Sequence, residues 1–150
     1  LNNGDIRAFE PTKGRFIYSF EKRDSSVFIT SNNDHGVVTV RCKNKKIYFQ
    51  IWEMLTGKLI STIPRPSKKY ALSSVKWSPD DNILATSSGF KNEVELWNLK
   101  GDNLQTLTNA TFPMQFSSNG KLLLTGGKLS EKQKEEDIGY LWELKNNSTQ

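Results

Sequence analysis

The chain has 150 residues, of which 35% are hydrophobic and 25% charged, a composition typical of a soluble globular protein. No apolar run approaches the roughly 18 residues needed to cross a bilayer, and the first residues lack the charged-then-apolar order of a signal peptide. We therefore expect a cytoplasmic protein that does not contact the membrane. The lone Cys42 excludes an internal disulfide, and Cys42 with the lone His35 cannot supply the usual zinc spacings, so we expect no metal and no cofactor.

The charge is unevenly distributed. Residues 1–76 hold 14 basic and 6 acidic residues, a net charge of +8, whereas residues 77–150 hold 7 basic and 10 acidic residues, a net charge of −3. This asymmetry suggests an acidic partner for the first half of the chain, although an ordinary solvated surface is the commoner explanation of such a charge excess.

The predicted elements, in chain order, are all short strands. Segment 4–20 repeats the pattern of 52–63, so we expect it to be the second half of a sheet unit. No window of 12 residues has the apolar stripe of a helix, and the sequence therefore predicts an all-β protein. The remaining strands are expected near 26–30, 36–42, 47–53 and 58–63, then 73–77, 82–88, 92–98 and 103–107, and last 111–116, 121–126 and 138–143, where a fourth strand is missing.

Aromatic residues recur through these sets of strands. Trp52, Trp97 and Trp142 each end a predicted third strand, at intervals of 45 residues, and Trp77 and Phe116 end two predicted first strands. The loops between them vary in length while the order of the elements is kept, as expected of a repeated structural unit. We expect these five aromatic residues to be structural residues of the core between sheets.

Two turns occupy matching places after the first strands. Asn119-Gly120 predicts a type I′ hairpin turn, in which both central residues have a positive φ. Segment 78–81, Ser-Pro-Asp-Asp, occupies the same place, and its residues predict a turn of different chemistry.

A four-strand unit of about 40 to 45 residues, with a Ser-Pro-Asp turn and a Trp ending the third strand, resembles the WD40 repeat of β-propellers. The sequence VKWSPDDNILATSSG with the later VELWNL carries the resemblance most specifically. It implies an all-β fold, a partial β-propeller of four-stranded antiparallel blades. The blades would form one repeat region over 1–150: a half-blade at 4–20, blades at 25–63 and 72–107, and an incomplete blade at 111–143.

The sequence also departs from the family pattern. Glu53, Asn98 and Glu143 follow the tryptophans where the family has Asp, and no Gly-His pair precedes a first strand. Lys46, Lys91 and Glu136 replace the Asp usual before the third strand, so we expect the family's Trp–Ser/Thr–His–Asp hydrogen-bond network not to form. Because propellers have about four to eight blades, we also expect the chain to be part of a longer protein, or to be completed by further blades or a second copy.

The resemblance implies a non-catalytic scaffold or sensor that binds proteins through one loop face. His35 has no Ser or Cys partner at a readable spacing, and we expect no enzyme activity. Basic loops with two aromatic residues converge on the implied face, which suggests an acidic protein segment as partner. Nucleic-acid binding through the same face is the alternative, and a propeller hydrolase is a third. The candidate partner-binding residues are Lys22, Arg23, Lys43, Lys45, Lys46, Arg65, Lys68, Lys69, Tyr70, Phe90 and Lys91.

Overall fold

The computed structural model describes residues 6–9, 13, 15–20, 25–29, 35–43, 46–53, 55–65, 72–88, 91–127 and 138–144. Every regular element in these ranges is a β-strand. The strands are β1 (Ile6–Phe9), β2 (Phe16–Phe20), β3 (Ser25–Ile29), β4 (His35–Lys43), β5 (Lys46–Glu53), β6 (Leu59–Arg65), β7 (Leu72–Trp77), β8 (Ile83–Ser88), β9 (Glu93–Asn98), β10 (Asn103–Thr108), β11 (Ala110–Phe116), β12 (Leu122–Gly127) and β13 (Ile138–Glu143).

The chain divides into two compact units, of which the first ends at Lys68. In this unit, β1 and β2 form an antiparallel pair, and β3 to β6 form a four-stranded antiparallel sheet in chain order. Phe49, Ile51 and Ile63 of that sheet are buried. Phe49 and Ile51 are two residues apart in β5, and Ile63 is the partner of Phe49 in β6, so all three lie on one face of the sheet, because successive side chains of a strand point to opposite faces.

The second unit contains a four-stranded sheet, β7 to β10, and a three-stranded sheet, β11 to β13, both antiparallel and in chain order. Strand β11 lies against β7, β8 and β9, so the two sheets pack face to face. The buried apolar side chains between them form the inter-sheet core, which comprises Ala85, Val94, Leu96, Leu107, Ala110, Met114, Phe116, Leu123 and Leu144.

The strands lie within two residues of the predicted positions. The all-β prediction is confirmed, because the apolar alternation and the turn residues mark both the type and the limits of these short elements. In the third sheet the described residues contain no fourth strand.

The two matched turns have one backbone geometry, although their residues differ. In both, a serine hydroxyl accepts from a backbone N–H five residues later, at 2.9 Å in Ser78 and 2.9 Å in Ser117. The residue three positions after each serine donates its N–H back to the serine carbonyl and has a positive φ, 54° in Asp81 and 70° in Gly120. Asn119 has no positive φ, so the predicted type I′ turn is wrong. The hydrogen bonds of the two serine hydroxyls, and not an Asn-Gly type I′ turn, determine the backbone geometry.

Asp80 fixes the first of these turns through its carboxylate. The Ser78 hydroxyl donates to it at 2.6 Å, and the amide of Asn82 donates to it at 2.9 Å. The Ser78 bond is the largest cause that holds the pKa of Asp80 below its ordinary value of 3.8, with the side-chain and backbone N–H groups of Asn82 adding to it. In the second turn Asn119 takes the same place and accepts from Ser117 at 2.7 Å.

Replacing Asp80 with alanine is expected to lower the free energy of unfolding by roughly 1 kcal/mol at neutral pH, because the turn loses its acceptor. The pKa of Asp80 is lower in the folded state than in the unfolded state. The charged carboxylate therefore contributes to the free energy of unfolding above pH 3.8, and this contribution is lost as the pH falls through the folded pKa. Asp80→Asn should cost less at neutral pH, because Asn119 closes the equivalent turn. Urea unfolding at neutral and acid pH measures both variants. Equal losses for alanine and asparagine would contradict the role given to the acceptor oxygen.

The expectation that the family's hydrogen-bond network is not formed is wrong for its first link. The Trp97 indole Nε1 donates to the Thr86 hydroxyl at 3.0 Å, and Trp142 Nε1 donates to Thr125 at 2.9 Å. A hydroxyl on the second strand of each sheet therefore suffices to bind the indole of the third strand. The polar residue after the Trp also keeps a role in the next turn: Asn98 Oδ1 accepts from the Asp102 N–H at 2.9 Å.

Candidate interaction surfaces

Three predicted partner-binding residues meet at one end of the first four-stranded sheet. Lys43 ends β4, Lys46 begins β5 directly opposite it, and Arg65 ends β6 opposite Ile47. Neighbouring strands are about 4.8 Å apart, so the backbones of these residues lie within two strand spacings. We call Lys43, Lys46 and Arg65 the basic end of the first sheet.

The register of the basic end places two residues of like charge at opposite backbone positions. Lys43 and Lys46 are a directly opposite cross-strand pair. Like charges in such a pair destabilise a sheet, whereas opposite charges stabilise it. Residues that disfavour the local structure are expected at functional sites, so two lysines at opposite positions indicate a function for their charge.

Lys91 lies in the turn before β9, and its side chain is 52% exposed. Its Nζ is 3.7 Å from Glu93 Oε2, a solvent-exposed ion pair that offsets part of the charge predicted for this loop. Lys91 stays a candidate partner-binding residue, with Glu93 beside it.

The remaining candidate partner-binding residues lie outside the described residues, so their convergence on one face stays a prediction. These residues are Lys22, Arg23, Lys45, Lys68, Lys69, Tyr70 and Phe90.

The predicted structural residues differ in burial. Trp77, Trp97 and Phe116 are buried, whereas Trp52 and Trp142 are half-buried. Trp142 lies against the inter-sheet core, and its ring centroid is 5.7 Å from that of Tyr140.

The residues considered for chemistry have ordinary positions in the fold. His35 begins β4 opposite Glu53, and Cys42 lies in the same strand opposite Ile47. Within the described ranges no group of three or more His, Cys, Asp or Glu residues is placed to hold a metal ion. The same ranges contain no helix with the length and apolar character to span a membrane.

A second surface, missed by the sequence interpretation, lies on the third sheet. Three apolar side chains are exposed on its face away from the inter-sheet core: Phe112 (54%), Leu124 (49%) and Leu141 (66%). Beside them is a groove of about 670 Å³, with Gly126 and Gly139 in its lining. We call these five residues the outer face. The sequence indicates this surface through three consecutive leucines at 122–124. Because successive side chains of a strand point to opposite faces, at least one of these leucines must point away from the core.

Glycine is required at position 126 by a close approach of two strands. Strand β11 carries a bulge between Thr111 and Met114, and a Cβ at position 126 would lie 2.6 Å from the backbone oxygen of Phe112. The bulge therefore narrows one side of the groove, and the missing side chain leaves the groove open.

The sequence matches no protein-family model and no curated protein. Solved structures are similar to it in fold. KlAtg21, solved in complex with the coiled-coil of AgAtg16, has a TM-score of 0.72 at 13% identity, over 96% of this chain and 48% of that chain. The β-propeller domain of Cps50 (Swd1) from Myceliophteria thermophila has a TM-score of 0.63 at 13% identity, over 96% of this chain and 49% of that chain.

A third similar structure comes from an enzyme. The β-propeller domain of the trilobed protease from Pyrococcus furiosus, which has an open velcro topology, has a TM-score of 0.63 at 12% identity, over 93% of this chain and 46% of that chain. The prediction of a partial β-propeller, made from the resemblance to WD40 repeats, is confirmed at the level of fold. The chain spans about half the length of the solved chains that it matches.

Proposed function

We propose that this chain is a non-catalytic protein-interaction module, and that the basic end of its first sheet contributes to binding an acidic segment of a partner. The observation that carries the proposal is the like-charge pair Lys43–Lys46 with Arg65 beside it. Basic residues held at one end of a sheet are complementary to an acidic segment, and such complementarity favours its binding.

The fold gives independent support to an interaction role. Antiparallel sheets hold their connecting loops in fixed positions, and such loops are where proteins most often carry their binding residues. Among the structures of similar fold, KlAtg21 is solved in complex with the coiled-coil of AgAtg16, which is an example of a protein of similar fold that binds another protein. The net charge of +8 over residues 1–76 favours an acidic partner and speeds its encounter.

Charge reversal at Lys43, Lys45, Lys46 and Arg65 together is expected to weaken binding of a polyglutamate peptide by at least about tenfold, or 1.4 kcal/mol. The peptide serves as the probe because the natural partner is unidentified, and fluorescence anisotropy measures its binding. Reversal at Lys100 and Lys121, exposed lysines of the second unit, is the matched control and should leave the affinity nearly unchanged. Equal affinity of the wild type and the fourfold variant would overturn the proposal.

The same titration separates this function from nucleic-acid binding. The inferred partner would be a nucleic acid instead of an acidic protein segment if a single-stranded oligonucleotide bound more tightly than the peptide. Its affinity would then also have to fall about 10³-fold or more between 50 and 200 mM salt. Tighter binding of the peptide supports the protein partner.

A further inference from the structure

The turn between β11 and β12 contains Asn119 followed by Gly120, a pair that the proposed function does not use. Asparagine before glycine is chemically labile, because glycine has no side chain to hinder attack of its backbone nitrogen on the preceding side-chain amide. Asn119 is exposed, so water reaches it. The pair is therefore a candidate site for deamidation.

Deamidation at this pair proceeds through a cyclic intermediate. The Gly120 backbone nitrogen forms a bond to Asn119 Cγ, the bond from Cγ to Nδ2 breaks, and the Gly120 amide proton and the Nδ2 amino group leave together as ammonia. Water then adds to one carbonyl of the resulting succinimide ring, and the carbon–nitrogen bond at that carbonyl breaks. Opening at Cγ gives aspartate, whereas opening at the backbone carbonyl of Asn119 gives isoaspartate, in which the main chain runs through Cγ.

The closed turn withholds the attacking nitrogen. The Gly120 N–H donates to the Ser117 carbonyl at 2.9 Å, with the glycine at a φ of 70°. A nitrogen bonded in this way keeps its proton, which it must lose in order to attack. The Pro79 ring also lies beside Gly120, 3.6 Å from the place that a Cβ would take, and limits movement of the glycine.

The closed turn also holds the side chain that would be attacked. Asn119 Oδ1 accepts from the Ser117 hydroxyl at 2.7 Å and from the Lys121 N–H at 3.0 Å. Closing the succinimide ring requires rotation of the Asn119 side chain and of the Gly120 peptide group, and these hydrogen bonds resist both rotations. The reaction therefore requires the turn to open.

The first matched turn shows that the aspartate product fits the closed geometry. Asp80 takes the place of Asn119 there, and its Oδ1 accepts from the Ser78 hydroxyl at 2.6 Å and from the Asn82 N–H at 3.3 Å. An aspartate at position 119 can accept the two equivalent bonds. Isoaspartate lengthens the main chain within the turn and cannot keep this geometry.

We propose that Asn119 is a deamidation site controlled by its own turn. Local opening of the turn frees the Gly120 nitrogen and permits the reaction, and the turn closes again on the aspartate product. The outcome is a slow, irreversible change of an exposed neutral side chain into a charged one, while the sheet stays folded.

Peptide mapping by mass spectrometry tests the proposal, because deamidation changes the mass of the peptide that contains Asn119. The full 150-residue chain is incubated at neutral pH, in buffer or in guanidinium chloride. Deamidation at Asn119 is expected to be at least about tenfold slower in buffer, where the turn is closed. Ser117→Ala should accelerate it at least about fivefold in buffer, because both hydrogen bonds of the hydroxyl are lost. Ser117→Thr keeps the hydroxyl and should restore the slow rate.

Ser78→Ala is the matched control, because it removes the equivalent hydroxyl from the first turn. It should leave the rate at Asn119 unchanged, which distinguishes local opening from a general loss of stability. Asn119→Asp should have the same midpoint of urea unfolding as the wild type, and Asn119→Ala a lower one. Equal rates in buffer and in guanidinium chloride, a Ser117→Ala variant that reacts no faster than Ser78→Ala, or an aspartate variant as unstable as the alanine variant would each overturn the proposal.

Discussion

Replacing Leu123 with alanine is expected to lower the free energy of unfolding by about 2–5 kcal/mol, the largest loss among the substitutions considered. Leu123 is 0% exposed and lies opposite Phe116 on one side and Trp142 on the other. Removing its side chain beyond Cβ creates a cavity in the inter-sheet core, where close packing prevents full collapse. Urea unfolding followed by tryptophan fluorescence measures the loss.

Leu124→Ala is the matched control, one residue along the same strand on the opposite face. Because Leu124 is 49% exposed, the loss should stay below about 1 kcal/mol. Equal losses at positions 123 and 124 would contradict the assignment of the two faces of β12.

Thr86→Val is expected to lower the free energy of unfolding by about 1–3 kcal/mol, because it removes the acceptor of the Trp97 indole in a buried site. Thr86 is 1% exposed, and the bond to Trp97 Nε1 is 3.0 Å long. Valine has nearly the shape of threonine, so the loss reports the hydrogen bond more than the packing. Thr86→Ser keeps the hydroxyl and should retain most of the stability.

Thr108→Val serves as the control for this substitution, because Thr108 is an exposed strand residue of the same sheet. It should change the free energy of unfolding by no more than about 0.5 kcal/mol. If Thr86→Val costs no more than Thr108→Val, the indole bond does not contribute to stability.

The fold could be predicted largely from the sequence because its elements are short, alternating and separated by turn residues. The recurrence of Trp52, Trp97 and Trp142 aligned the units even where the loops differ in length. The threonine partners were missed, because their distances along the chain from the tryptophans vary. Register makes them visible: Thr86 and Thr125 each lie two residues beyond the position opposite a tryptophan.

The two surfaces could be predicted only in part. The sequence shows the charges of the basic end, which are those of Lys43, Lys46 and Arg65. It does not show that Lys43 and Lys46 are opposite each other, because this depends on strand register. The run 122–124 predicts that one leucine points away from the core, but the exposure of that face could not be predicted, because Leu96 and Leu141 occupy the same place in their repeats. Their burial differs only through which sheet covers them, and this is a property of tertiary structure.

The central claim is that one sheet unit recurs in which a second-strand threonine binds a third-strand indole. Hydrogen exchange of the tryptophan indole protons, followed by NMR, tests it most directly. The claim predicts slow exchange for Trp97 and Trp142, with Thr86→Val accelerating exchange at Trp97 alone. Exchange at the rate of a free indole at both positions, or a Thr86→Val variant that leaves Trp97 as protected as before, would contradict it.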